Sequence, residues 1–432
     1  MKKSQHKKNI FFISTNRSDY GLQKNLIKAV NKNKNYNVKL IISGAHYLNK
    51  FGSTLKEFQK DKIKIYKSIK LNLNNDNPYD VSFFNNELSK HINNLFSKNK
   101  VDFLFLLGDR SELLNIASIA KIYNIPIGHL HGGESTLGAI DDAIRTSISK
   151  LSDLHFVSHV KYKKNLEKIG ITKSKIFYVG GLGASSINKI QLLTKKQIES
   201  RLNLKIKKKI ILVSFHPVTL ENQMTKDYCL NLLKSLENFD DLEIIITAPN
   251  TDVNHNIIYK LIKNFIKKYK RFHFYRSLGT ELFYSLLNIS TIIIGNSSSG
   301  ILEAPSFNIN IINIGDRQKG RIQSKNVINC RPTINEITKN ITKALFNKKY
   351  YPKKKGIKNP YFKKNTEENI IKILDNFFQD KYTNKVSKNS YKKKENYIIN
   401  DQLIKKINEI ENPYYKTDIK KKLNKRIALL DL

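Results

Sequence analysis

Short apolar runs alternate with amphipathic segments along most of this chain, and that alternation leaves few folds open. Strand-like runs are predicted at residues 10–14, 38–43, 103–107, 125–130, 155–157 and 176–179. A second series follows at 210–214, 243–247, 271–275, 291–294 and 310–314. Between them, residues 112–123, 141–151, 222–236 and 254–269 carry apolar positions at helical period. Strand–helix alternation of this kind builds parallel sheets with helices on both faces, so an α/β chain with two Rossmann-like domains is expected. The alternation pauses at Gly180-Gly181-Leu182-Gly183 and resumes with a polar helix at 194–202, which marks the glycine cluster as the hinge. The expected division is 1–182, 183–358, a closing segment 359–379 that can cross back to the first domain, and a basic, helical or partly disordered tail at 380–432.

A chain of 432 residues exceeds one compact core and agrees with two domains. Cys229 and Cys330 are the only cysteines, so no disulfide framework is expected and a reducing cytoplasm fits. The basic N-terminus leads into an apolar run that stops at Ser14-Thr15-Asn16-Arg17, too short for a signal-peptide core. No later run approaches a membrane span, so a soluble protein without membrane insertion is expected. The formal net charge of +41 suggests nucleic acid or an anionic membrane at first sight. However, 67 of the 77 basic residues are Lys, and Asn and Ile are abundant too, as a compositional bias would produce. An electrostatic footprint would cluster on one element, so no nucleic-acid partner is expected. The same bias makes the ten arginines informative. Arg17, Arg110, Arg145, Arg276, Arg317 and Arg321 fall in or beside distinctive segments, where a planar fork for phosphate or carboxylate has a use.

The stretch from Leu104 to His159 is the richest in chemistry. One apolar run ends in Gly108-Asp109-Arg110 and the next in His129-Leu130-His131-Gly132-Gly133-Glu134, with Asp141-Asp142 soon after. In open parallel sheets the carboxyl edge is where ligands bind, so these groups read as an active-site rim with general acid/base capacity. Asp141-Asp142 also suits a plain helix start. The His-x-His pair could suggest metal, but no third ligand stands at a fixed place, so no metal is expected.

Other strand ends are equally marked. Ser14-Thr15-Asn16-Arg17-Ser18-Asp19-Tyr20-Gly21 follows the first strand and opens a helix, a ready phosphate site. No GxGxxG is present, which disfavours a dinucleotide cofactor, and none is expected. In the second half, Phe215-His216-Pro217 and Ala248-Pro249-Asn250 repeat the pattern, with Asn254 and Asn256 behind. Gly295-Asn296-Ser297-Ser298-Ser299-Gly300 turns a buried strand into a helix through small residues whose amides and hydroxyls can hold phosphate. Glu303, one turn on, suits a bidentate hold on ribose hydroxyls, and Gly315-Asp316-Arg317-Gln318-Lys319-Gly320-Arg321 adds positive charge. Together these read as a nucleoside-diphosphate site.

Taken in order, NRSDYG, GDRSE, HLHGGE…DDAIR, SFHP, APN, GNSSSGILEAP and GDRQKGR resemble the motifs of the hydrolysing UDP-N-acetylglucosamine 2-epimerases, which serve sialic- and legionaminic-type sugar synthesis. The resemblance spans residues 9–378 and does not reach the tail. It implies a glycosyltransferase-B-like fold with UDP on the second domain and the sugar in the cleft. Arg17, Gly21 and Arg110 would line the first-domain side. His216, Asn250, Asn256, Ser297, Ser298, Glu303 and Arg317 would hold UDP, with Leu278 near the uracil. Asp109, Glu134 and Asp142 would be the catalytic groups. The implied reaction eliminates UDP from a UDP-2-acetamido sugar and hydrates the resulting glucal; a homo-oligomer, dimer or tetramer, is also implied. Two other readings stay open: a transferase of the same fold, and a non-catalytic polyanion-binding protein using the Lys-rich tail.

Overall fold

The computed structural model describes residues 7–48, 55–71, 75–250, 252–346 and 357–379. The tail at 380–432, with its expected helical runs at 403–410 and 414–430, lies outside the described residues. Both sheets belong to one compact unit, Met1–Ile370, and a second unit, Ile371–Leu432, takes in the end of helix Thr366–Phe378.

The first sheet contains β1 (Lys8–Ser14), β2 (Tyr36–Ile42), β3 (Ile65–Ser68), β4 (Phe103–Leu107), β5 (Ile127–Leu130), β6 (Leu154–Val157) and β7 (Ile176–Tyr178). Their order is β3-β2-β1-β4-β5-β6-β7. The second contains β8 (Lys209–Ser214), β9 (Leu242–Thr247), β10 (Phe272–Tyr275), β11 (Ile292–Gly295), β12 (Asn310–Ile314) and β13 (Val327–Cys330), in the order β10-β9-β8-β11-β12-β13. Every pairing is parallel. Parallel strands need covered faces, and the sequence supplies them: every residue of Phe103–Leu107 and Asn310–Ile314 is buried. On the second sheet, Ile211, Val213 and Ile244 pack under helices carrying Leu232, Ile258 and Ile337. The opposite face sets Leu212, Ile245 and Ile293 against Leu282 and Leu286. Leu104 and Leu106 of the first sheet meet Leu88, Ile116 and Ile148.

β3 and β13 lie outside the strand runs expected from sequence. Both are edge strands with polar or partly exposed positions, so neither shows an unbroken apolar run. Helix Pro78–Lys98, capped by Asn77, was likewise outside the expected segments, although Phe84, Leu88, Ile92 and Leu95 keep a helical period.

Each sheet reverses its strand order once, between β1 and β4 and between β8 and β11. Helices leaving a reversal point depart to opposite faces and open a crevice at the strands' carboxyl ends. Arg17 and Asp109 follow β1 and β4; His216 and Ser297 follow β8 and β11. Beyond the second sheet the chain returns to the first. The Gly181 N–H donates to the Tyr361 carbonyl at 2.8 Å, and the Thr366 hydroxyl donates to the Val179 carbonyl at 2.8 Å. Buried Tyr361 also bonds Tyr162 through their hydroxyls at 2.7 Å and donates to the Ile322 carbonyl at 2.9 Å, tying both sheets together. No described helix is long and apolar enough to cross a membrane.

Candidate active site

The crevices of the two sheets face each other and enclose two adjoining compartments. One is lined by Arg17, Gly21, His216, Leu278, Ser297 and Glu303. The other is lined by Asp109, Arg110, Glu134, Asp141, Arg317 and Arg321. Ser18, Leu22, Asn250 and Ser298 belong to both walls, so the compartments adjoin.

The first compartment gathers polar groups at the ends of β8 and β11. Ser297 caps helix Ser298–Leu302, and its hydroxyl bonds that of Ser299 at 2.9 Å, which gathers hydroxyls and amides at the end of β11. His216 is braced against this turn: its N–H donates to Asn296 Oδ1 at 2.7 Å, and Asn296 Nδ2 donates to the His216 carbonyl at 2.9 Å. The Asn250 N–H donates to His216 Nδ1 at 3.0 Å, which leaves the ring proton on Nε2. Burial, reinforced by Arg317, Arg17 and Arg110, pushes the imidazole pKa far down, so His216 is a neutral donor at its Nε2. Arg17 crosses to the second domain and donates to the carbonyls of Arg276 and Ala248, the latter at 3.1 Å. Glu303 is 5% exposed, and burial pushes its carboxyl up to about 8, with Glu134 adding to the rise and Arg321 opposing it.

Two close approaches fix the walls. A Cβ on Gly183 would lie 2.1 Å from Glu303 Oε1, and one on Gly21 would lie 2.9 Å from the Thr280 hydroxyl. Helices Arg17–Lys32 and Leu182–Ser186 therefore approach Thr280 and Glu303 this closely where neither position carries a side chain.

In the second compartment, acids and cations interlock. Buried Arg145 bonds the Asp109 carboxylate and donates to the Glu134 carbonyl at 2.7 Å and to Thr136 Oγ1 at 2.9 Å. The Glu134 side chain accepts from the Ser158 hydroxyl at 2.7 Å, lies 2.9 Å from His131 Nδ1 and 3.2 Å from Arg321. Burial alone would raise its pKa, but Arg321 and His131 bring it down to about 2, so it is a carboxylate. The Leu182 N–H donates to His131 Nε2 at 3.1 Å, which places the ring proton on Nδ1, facing Glu134. His129 points elsewhere, bonding Ser149 and the Gly108 carbonyl, so all four ring nitrogens of the His-x-His pair are engaged within the protein. Two nitrogens of Arg321, Nε and Nη1, are buried without a protein partner.

The expected residues mostly converge. Arg17, Gly21, His216, Asn250, Leu278, Ser297, Ser298 and Glu303 line the first compartment; Asp109, Arg110, Glu134 and Arg317 line the second. Arg317 serves as a brace as well, donating to the carbonyls of Pro217 at 3.2 Å and Asn296 at 3.3 Å. Two expected residues need correction, because neither lines these compartments. Asp142 Oδ1 accepts the Thr136 N–H at 2.7 Å and so ties down the loop before its helix, whereas Asp141 stands on the wall. Burial raises the Asp141 pKa, Arg317 opposes the rise and Asp252 adds to it. Asn256 bonds Asp76 through its N–H at 2.7 Å and its side-chain amide at 2.9 Å, because left-handed Asn254 turns the helix start that way. Arg145, His131 and Arg321 carry more of the network than the sequence expectation assigned them. Glu57, Thr280 and Tyr284 also line the first compartment but belong to no recognisable motif.

Comparison with known proteins agrees with this geometry. The model of the UDP-N-acetylglucosamine 2-epimerase family matches residues 28–375. The chain is 39% identical over 323 residues to the GDP/UDP-N,N'-diacetylbacillosamine 2-epimerase (hydrolyzing) of Campylobacter jejuni, covering 74% of this chain and 84% of that protein. It is 33% identical to the polysialic acid biosynthesis protein P7 of Escherichia coli, covering 87% and 95%. Among solved structures, the UDP-GlcNAc 2-epimerase of Neisseria meningitidis bound to UDP-GlcNAc superposes with a TM-score of 0.72 at 20% identity, over 85% of this chain and 99% of that one. That likeness confirms the glycosyltransferase-B-like arrangement of two Rossmann-like domains. Sheet order, site and relatives converge: the chain belongs to the UDP-N-acetylglucosamine 2-epimerase family, as an enzyme of its hydrolysing branch.

Proposed function

We propose that this enzyme converts a UDP-2-acetamido sugar into UDP and the free 2-epimer of the sugar, a precursor for nonulosonic acid synthesis. The observation that carries the reading is the adjacency of the two compartments: the space lined by His216, Ser297, Ser298 and Glu303 shares a wall with one lined by paired acids and arginines. UDP would occupy the first compartment, with uracil near Leu278, the ribose hydroxyls on Glu303 and the diphosphate between Ser297–Ser299 and the His216 Nε2–H. The sugar would then enter the second.

There, a carboxylate removes the proton from C2, and its electron pair forms the C1–C2 double bond as the C1–O bond to phosphate breaks. Asp109 suits the base, since its side chain is open to the compartment at 24% exposure while Glu134 is enclosed at 1%. Arg110, His216 and the β11 turn stabilise the charge that UDP carries away. Water then adds its oxygen to C1 of the 2-acetamidoglucal, releasing one of its protons to solvent, while a proton reaches C2 from the other face. Asp141, whose carboxyl burial favours the protonated form, is the group suited to that delivery. Glu134 acts through its partners, holding Arg321 and His131 in place.

The test is incubation with UDP-N-acetylglucosamine or with UDP-2,4-diacetamido-2,4,6-trideoxyglucose alone, followed by NMR of the products. UDP and a free 2-epimerised sugar are expected from at least one of them. Unchanged sugar nucleotide, or sugar release only when an acceptor is supplied, would favour a transferase instead.

A further inference from the structure

Asn359-Pro360-Tyr361, where the chain returns to the first domain, lines neither compartment. Three of its hydrogen bonds nevertheless end next door to a residue of the site. Asn359 Nδ2 donates to the Leu302 carbonyl at 2.8 Å, beside Glu303. The Tyr361 carbonyl accepts the Gly181 N–H at 2.8 Å, and the neighbouring Leu182 N–H is the one that holds His131 Nε2 at 3.1 Å. The Tyr361 hydroxyl donates to the Ile322 carbonyl at 2.9 Å, beside Arg321. Asn359 Oδ1 accepts the Tyr361 N–H at 2.9 Å, which braces the segment internally.

The bond to Ile322 is part of a closed ring. A phenol has one proton to give. Tyr361 gives its own to the Ile322 carbonyl, so at the 2.7 Å contact between the two phenols it accepts from Tyr162. Tyr162 accepts in turn from the Ile322 N–H at 3.1 Å. The ring thus runs from the Ile322 N–H through both hydroxyls and back to the carbonyl of the same residue. Both tyrosines are fully buried, and burial pushes both phenol pKa values up, so each keeps the proton it donates. Hydrogen bonds linked in series polarise one another, and removing one leaves a buried group bare. Ile322 is therefore held by its N–H and its carbonyl together. This fixes the backbone from which Arg321 reaches Glu134 at 3.2 Å. Arg321 lines the acid compartment, and its charge bears on Asp141 and Glu303 as well as on Glu134. A small displacement of Arg321 would alter the field at the groups that move protons.

We propose that Tyr361 is a positioning residue for the acid compartment: with Tyr162 it clamps Ile322 and so sets Arg321 against Glu134. The inference rests on the 2-epimerase reading above and goes beyond it by giving the segment after the second sheet a part in turnover.

Tyr361→Phe and Tyr162→Phe each remove one hydroxyl from the ring and keep the buried aromatic group. Both variants and the double variant are assayed as the full chain on the UDP-2-acetamido sugar that the unmodified enzyme turns over, with UDP affinity read by calorimetry and Tm by thermal melts. In each single variant kcat should fall about tenfold or more, while KM and the UDP Kd stay within about twofold. The double variant should lose little more than either single one, because the ring acts as one unit. UDP binding at the normal level certifies that a variant is folded. A lowered Tm with kcat unchanged in both single variants makes the ring a support of the fold alone, which overturns the inference and leaves the epimerase reading standing. Equal loss of UDP affinity and kcat overturns it as well, since the effect would then not belong to the acid compartment. Release of UDP from neither UDP-N-acetylglucosamine nor UDP-2,4-diacetamido-2,4,6-trideoxyglucose by the unmodified enzyme overturns the epimerase reading and this inference with it.

Discussion

Glu303 offers a sharp test of the electrostatics of the cleft. It closes helix Ser298–Leu302 and is 5% exposed, and burial pushes its carboxyl up to about 8. An unfolded glutamate titrates near ~4.3, so between these two values the folded protein keeps a proton that the unfolded chain has lost. The sign follows: this group's contribution to stability is greatest below the unfolded value and declines as pH rises towards 8. The slope reaches about 1.4 kcal/mol per pH unit, and allowing for half-titration at the upper end the loss from pH 6 to 8 is about 2 kcal/mol. Glutamine has the shape and neutrality of the protonated acid at every pH. Ligand-free Glu303→Gln should therefore be more stable than the unmodified enzyme, by a margin that widens by about 2 kcal/mol between pH 6 and 8. Thermal melts of both proteins at pH 6, 7 and 8 read this as a Tm gap that grows by a few degrees. Parallel pH dependence in the two proteins would refute the reasoning, because it would mean that Glu303 is already ionised in the folded cleft.

The other predictions concern the division of labour and the walls. Arg317→Ala and Ser298→Ala should weaken UDP binding about tenfold or more by calorimetry, whereas Glu134→Gln should keep near-normal affinity and lose turnover. Equal weakening by all three would contradict the division between the groups that hold phosphate and the acid that supports the chemistry. Glu134 has the opposite pH sign to Glu303: its depressed carboxyl supports the fold above about 4.3, and that support, at most about 3 kcal/mol, is lost as pH falls towards 2. Urea midpoints measured down an acid series should therefore drop less steeply in Glu134→Gln. Gly183→Ala places a methyl 2.1 Å from Glu303 Oε1 and should cost about 1–3 kcal/mol in stability, read as a lowered Tm, together with weaker UDP binding.

Much of this architecture is legible in the chain because parallel strands must be buried on both faces. Phe103–Leu107 announces itself as an unbroken apolar stretch and Asn310–Ile314 as a run of isoleucines between asparagines, and the strand bounds there agree to the residue. Edge strands carry no such signal: Ile65–Ser68 is half exposed and reads as loop. The site was legible where backbone turns and charge coincide, as at Gly108-Asp109-Arg110 and Gly295-Asn296-Ser297. It was less so where adjacent identical residues divide their roles. Asp141 and Asp142 are indistinguishable by motif, and only the Thr136 amide, which captures Asp142, leaves Asp141 on the cavity wall. Asn256 was misplaced for a related reason, since one left-handed residue, Asn254, decides which way the next turn faces. The pairing of Arg145 with Asp109 and of Arg321 with Glu134 depends on contacts between distant segments, which spacing alone does not reveal.

The central claim is that the enzyme breaks the C2–H bond and expels UDP in one reaction. Turnover of the UDP-2-acetamido sugar in deuterated water, followed by NMR of the free sugar, tests it most directly. The account predicts one deuterium at C2 of the 2-epimerised product for each UDP released. A product that retains its original C2 hydrogen would contradict elimination, and with it the roles given to Asp109 and Asp141.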